Sequence, residues 1–152
     1  MAMPKTSAGL ALYRRRAGVT EVLLVHPGGP LWRNRDAGAW SIPKGEVADG
    51  EDLLAAAQRE FAEELGSAPD GPFLHLTPVK QKGGKTVHAW AVAGDLDAAA
   101  IRSNTFELEW PPRSGKRVAF PEVDRAGWFD LPTARTKINP AQAALLDELP
   151  SH

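Results

Sequence analysis

The stretch Gly45-Glu46-Val47-Ala48-Asp49-Gly50-Glu51, followed after seven residues by Arg59-Glu60-Phe61-Ala62-Glu63-Glu64-Leu65-Gly66, decides how this chain is read. Residues 51–65 are mostly Ala, Leu, Glu, Gln and Arg, so a helix is expected there. Asp49 is placed to cap its start and Gly66 to end it. At about 100° per residue, Leu54, Ala57, Phe61 and Leu65 form one apolar stripe, and Glu60, Glu63 and Glu64 fall on the neighbouring arc. Half the helix packs, and the adjoining edge presents three carboxylates. A glycine at position 45 lets backbone approach closely, because no side chain obstructs it. Hard oxygen donors in this arrangement suit magnesium or manganese, with substrate phosphate oxygens completing the shell.

Charge is unevenly placed around this stretch. Between Gly45 and Gly66 there are seven acids against one base, Arg59, whereas the rest of the chain carries 17 bases and 12 acids. An acidic segment inside a basic chain suggests a cation site facing an anionic ligand, although a solvated helix face is the commoner meaning of clustered acids. The whole chain has 152 residues, 43% of them apolar and 24% charged, which fits one globular domain over 1–152 and disfavours disorder. No apolar run approaches the roughly 18 residues of a bilayer span, so no membrane association is expected. There is no cysteine, which excludes disulfides, thiolate nucleophiles and Cys-based zinc sites. The first ten residues lack the pattern of a secretory signal, and a cytoplasmic location is expected.

Moving outward, residues 7–13 and 21–26 read as a strand pair joined through Arg14 to Gly18. Residues 27–39 are rich in breakers and charges and read as a surface loop. Residues 73–80 and 86–94 flank the turn Lys82-Gly83-Gly84-Lys85, and residues 104–110 and 118–120 flank another polar loop. In the strand over 86–94, alternation of Val87, Ala89 and Ala91 with His88, Trp90 and Val92 implies that both faces are covered. Trp128-Phe129 reads as a short strand, followed by helices over 131–137 and 140–149. The mixture implies an α/β or α+β sandwich.

Written as G-x5-E-x7-R-E-U-x-E-E-x-G-U, with U a bulky apolar residue, the opening stretch resembles the Nudix box. Gly45, Glu51, Arg59, Glu60, Phe61, Glu63, Glu64 and Gly66 match, and Ser67 departs at a packing position. The flanking order of elements is similar to the Nudix α/β/α sandwich with a mixed sheet. The resemblance implies Mg2+, or Mn2+ in its place, bound by Glu60, Glu63 and Glu64 with the Gly45 carbonyl as a further ligand. It also implies that Glu51 and Arg59 are a structural pair holding loop to helix. The implied reaction is hydrolysis of a pyrophosphate bond in a nucleoside diphosphate-linked substrate. The general base would be a box glutamate, Glu63 or Glu64, or a later loop acid. Glu122 is the best such acid; Glu107 and Glu109 are weaker ones.

Trp40-Ser41-Ile42-Pro43-Lys44-Gly45-Glu46 is similar to Nudix enzymes acting on diadenosine polyphosphates and diphosphoinositol polyphosphates. Lys44 would set a compact cation beside a polyphosphate. Lys82, with Lys80, Lys85 and His88, is a candidate for further phosphate contact, and Trp32 is the expected lid or base contact among Trp32, Trp40, Trp90 and Trp110. Arg14 to Arg16 are read as a solvated cluster, His26 and His75 have no assigned role, and no nucleic-acid partner is expected. A dinucleoside polyphosphate of the diadenosine tetraphosphate type is therefore the leading substrate. A clean-up pyrophosphatase for nucleoside triphosphates or nucleotide sugars is the alternative enzyme, and a non-catalytic nucleotide sensor is the alternative of another class.

Overall fold

The computed structural model describes residues 5–150. Its first hairpin joins β1 (Thr6–Arg16) to β2 (Val19–Pro27). The strands run longer than their apolar centres, because Arg14 sits opposite Glu21 and donates to it at 2.8 Å. Only Ala17 and Gly18 remain in the turn, both at positive φ, as a two-residue hairpin loop with the twist of its strands requires. β3 (Lys44–Glu46) lies antiparallel to the start of β1, with Gly45 opposite Ala8.

Helix α1 (Leu53–Leu65) begins two residues later than the composition suggests, and its N-cap is Asp52, not Asp49. The Asp52 side chain accepts from the Ala55 N–H at 3.0 Å. Glu51 stays in the loop because its carboxylate is engaged there, accepting from the Ala48 N–H and from Arg59. Gly66 ends the helix in the left-handed region at φ 93°.

The strand expected over 73–80 is divided into β4 (Phe73–His75) and β5 (Val79–Lys80), both paired with β6 (Thr86–Ala93). Three residues, Leu76 to Pro78, face only two on β6, and Pro78 has no N–H to continue the ladder. β7 (Thr105–Glu109) and β8 (Arg117–Pro121) form a separate two-stranded sheet. β9 (Val123–Asp130) extends well beyond Trp128-Phe129 and pairs with β2. α2 (Leu131–Lys137) has its expected bounds. The last expected helix is a single 3-10 turn, Pro140–Gln142, running into the short α3 (Ala143–Asp147).

The main sheet runs β4-β6-β1-β2-β9 and is mixed, since β1 and β6 are parallel and the other pairs antiparallel. α1 covers one face, burying Ala57, Phe61 and Leu65 against Leu10, Leu23 and Val92. α2 and α3 cover the other, where Ile138, Leu145 and Leu146 pack on Val22, Leu24 and Ala91. β6 contributes to both cores, which explains its doubly apolar alternation. Among the described residues no helix is long and apolar enough to cross a membrane.

Gln142 ties the second layer to the segment that leads into Lys44. It is fully buried, its Oε1 accepts from the Ile42 N–H at 3.1 Å, and its Nε2 donates to Ser41 Oγ and Gln81 Oε1. Gln142→Ala leaves that buried N–H unpaired, so a loss of about 1–3 kcal/mol in denaturant unfolding is expected.

Candidate active site

α1 and β3 meet where Gly45 faces Glu60. A Cβ at position 45 would lie 2.0 Å from Glu60 Oε2, so the carboxylate occupies the space that a side chain would take. Arg59 organises the neighbouring charges. Its Nε and Nη2 grip Glu51 at 2.8 and 2.9 Å, while Nη1 donates to Glu60 at 2.9 Å and Glu63 at 3.2 Å. Nη2 also reaches the Glu46 carbonyl at 3.2 Å. The loop between β3 and α1 is thereby fastened to the helix by one guanidinium.

That bidentate pairing holds the Glu51 carboxyl well below its usual 4.5, at about 2, and pushes Arg59 up. A carboxyl depressed by folding stabilises the fold above its unfolded value and loses that contribution as pH falls through its folded value. The difference in Tm between the wild type and Glu51→Gln should therefore be full above pH 4.5 and close progressively on acidification towards pH 2. A difference that stayed constant over this range would disprove the link.

Glu64 is not on the solvated edge. It lies seven residues after Ala57, close to the apolar stripe, and only 7% of it is exposed. Burial, with Glu60 and Glu122 nearby, pushes its carboxyl up to about 8 against the opposing pull of Lys44. Glu60 is raised by burial, partly offset by Arg59, and Glu122 is raised by burial and by Glu63. Lys44 is lowered by burial and by Lys85, with Glu64, Glu60 and Glu46 acting in the other direction.

A cavity of about 350 Å³ brings Lys44, Glu64, Glu122 and Trp32 together, with Ser41, Gln81, Asn139 and Gln142 also in its lining. Trp32 is 39% exposed, with the Arg35 guanidinium 5.7 Å from its ring centre. A larger and more open hollow, of about 690 Å³, is lined by Arg14, Asp95 and Trp128 and contains none of the box carboxylates. Lys82 is left out of the cavity: the 3-10 turn Lys82–Gly84 holds it exposed at a hairpin tip, while its neighbour Gln81 lines the wall.

Glu60 and Glu63 are turned toward Arg59, and Glu64 lines the cavity. Among the described residues no three His, Cys, Asp or Glu side chains form a ready cage for a metal ion. The donors nonetheless fit a hard divalent cation, since Glu60, Glu63 and Glu64 offer carboxylate oxygens on one helix beside the Gly45 backbone.

Asn139 and Gln142 were not apparent as site residues. Asn139 reads as a cap, and its Oδ1 does accept from the Ala141 N–H at 2.9 Å. The signal for Gln142 is its spacing: with Leu145, Leu146 and Leu149 it completes an i, i+3, i+4, i+7 stripe, so a polar group is directed inward.

The chain belongs to the NUDIX domain family, whose model matches residues 3–149. In structure it is similar to an Ap4A hydrolase of C. elegans in a binary complex, at TM-score 0.67 and 24% identity, covering 93% of each chain. It is also similar to the NUDIX domain of Shewanella oneidensis NrtR complexed with ADP ribose, at TM-score 0.66 and 15% identity, covering 97% of this chain and 86% of that one. In sequence it is 50% identical over 50 residues to an RNA pyrophosphohydrolase of Caulobacter vibrioides, which is 30% of this chain and 29% of that protein. It is 38% identical over 69 residues to a bis(5'-nucleosyl)-tetraphosphatase (asymmetrical) of Caenorhabditis elegans, which is 45% of this chain and 46% of that protein. The matched stretches thus span less than half of either curated relative.

Proposed function

We propose that this chain is a divalent-cation-dependent hydrolase that cleaves a phosphoanhydride bond of a nucleotide, with a dinucleoside polyphosphate as the preferred substrate. The observation that carries the reading is one cavity lined jointly by Lys44, Glu64, Glu122 and Trp32. Such a lining combines a cation for phosphate, carboxylates for proton transfer and an indole face for a base.

Glu60, Glu63 and Glu64 would hold the cation, Mg2+ or Mn2+, with the Gly45 carbonyl. When bound, the cation supplies neutralisation of phosphate oxygens and a more acidic water. The chain's own residues do the rest. Lys44 offsets the charge of the polyphosphate, and Trp32 offers its ring to a base. Glu122 or Glu64 accepts the proton of the attacking water, since both line the cavity. Water adds to phosphorus, the anhydride P–O bond breaks, and the phosphate on the far side departs.

Two partial relatives, an RNA pyrophosphohydrolase and a nucleosyl tetraphosphatase, support this chemistry. The first of them also supports a second reading, in which the substrate is the 5′-triphosphate end of an RNA. The test is product analysis in oxygen-labelled water with dinucleoside tetraphosphates, nucleoside triphosphates, nucleotide sugars, inositol pyrophosphates and a 5′-triphosphate oligoribonucleotide. Label in the product phosphate, and the highest kcat/KM on a dinucleoside polyphosphate, is the expected result. Unchanged ligand throughout, with either Mg2+ or Mn2+, would overturn the proposal in favour of a sensor.

A further inference from the structure

His26 lies near the end of β2, and the reaction proposed above makes no use of it. It is fully buried. Its Nδ1 lies 2.9 Å from Asp124 Oδ1, and its Nε2 lies 2.5 Å from the Arg35 carbonyl oxygen. The Arg35 carbonyl can only accept, so Nε2–H donates to it, and Nδ1 is left to engage the Asp124 carboxyl. Edge-on packing against Trp40, with ring centres 5.2 Å apart, fixes the plane of the ring.

Asp124 reaches this ring through an irregularity in the sheet. His26 is opposite Arg125 and Pro27 is opposite Val123, which leaves Asp124 as the extra residue of a β-bulge. The bulge directly follows Glu122. On the other side of the ring, Arg35 belongs to the loop over 28–39 that carries Trp32, and the Arg35 N–H donates to the Trp32 carbonyl at 3.0 Å. The same two segments meet again where the Gly28 N–H donates to the Glu122 carbonyl at 2.9 Å. One buried ring therefore joins the segment carrying Glu122 to the loop carrying Trp32, and both residues line the cavity.

We propose that His26 and Asp124 are a buried positioning pair that sets Glu122 and Trp32 relative to each other, so that two walls of the cavity behave as one unit. The catalytic side of this proposal rests on the reading of Glu122 given above. Asp124 is itself surface-accessible, so Asp124→Ala removes one arm of the bridge with less risk to folding than a change at His26. Asp124→Asn is the conservative variant: its amide can still bond Nδ1 while Nε2–H reaches the Arg35 carbonyl.

Three measurements test the pair. Nitrogen NMR of the His26 ring in the wild type should show both nitrogens hydrogen-bonded; a ring nitrogen without a partner would overturn the bridge. Hydrogen exchange should show residues 28–39 and 122–125 losing protection together in Asp124→Ala and regaining it in Asp124→Asn, with α1 unchanged. Loss in one segment alone, or in neither, would overturn the coupling. With dinucleoside tetraphosphate as substrate, Asp124→Ala should lower kcat about tenfold or more, and this loss should vanish when Asp124→Ala is combined with Glu122→Gln. A loss of equal size in both backgrounds would overturn the link to Glu122. If Glu122→Gln alone kept full activity, the catalytic reading of Glu122 would fall, and the exchange result would still decide the pairing.

Discussion

Glu64→Gln is expected to reduce kcat by about 10²–10⁴-fold, the range for removing a group that handles a proton in the transition state. The fold should survive, because the amide keeps the shape of a side chain that is already buried beside Phe61 and Leu65. The variant also carries a signature in the metal-free protein. Burial holds the Glu64 carboxyl near 8, whereas in the unfolded chain it ionises near 4.5. Between those values the folded chain holds a proton that the unfolded chain has released, so wild-type stability in chelator must fall as pH rises. Glutamine does not ionise, and its Tm should be flatter over the same window. Thermal unfolding from pH 5 to 9 in chelator, alongside turnover with Mg2+, reads both effects. Full turnover in the variant would remove Glu64 from the mechanism.

Gly45→Ala should inactivate without unfolding. The added methyl would lie 2.0 Å from Glu60 Oε2 and 2.1 Å from its Cδ, so one of them must move. The mobile partner is the end of a flexible side chain, and Gly45 does not have the positive φ that would strain an alanine. The Glu60 carboxylate is therefore displaced, while β3 keeps its pairing with β1. Misplacement of a working group by about 1 Å costs on the order of 10²-fold in rate, and a drop of at least that size is expected, with half-maximal activity moved to higher Mg2+. Gly9 is the instructive contrast, because a Cβ there would meet the Pro43 carbonyl oxygen at 2.5 Å and must shift backbone. Steady-state rates titrated with Mg2+, beside the Tm, distinguish the two cases. An active Gly45→Ala enzyme would show that Glu60 can leave its position freely.

Much of this was legible in the sequence, for identifiable reasons. The helix, found over 53–65, the first hairpin and the bounds of α2 follow from local propensity and turn residues, and these signals survive in the fold. The α/β sandwich class follows from the same order of elements. What escaped was set by tertiary contact. Asp49 looks as good a cap as Asp52, and the choice depends on Arg59 holding Glu51 in the loop, eight residues away. Glu64 seemed exposed because three acids in five residues suggest a wet edge, yet β3 and Lys44 close over it. That Lys82 lies outside the cavity lining while Gln81 lies in it could not be read, because a turn has no direction in a sequence. Gln142 meets Ile42 across 100 positions, and His26 meets Asp124 across 98, where no local pattern extends.

The grip of Arg59 on Glu51, Glu60 and Glu63 has a consequence for the chain in the absence of the proposed cation. The chain carries a resident counter-ion for the very oxygens that the proposed cation would claim. Folding of this site would then need no magnesium. A polypeptide made where divalent ions are scarce would be idle rather than lost, and awakening it would be an exchange of one positive partner for another.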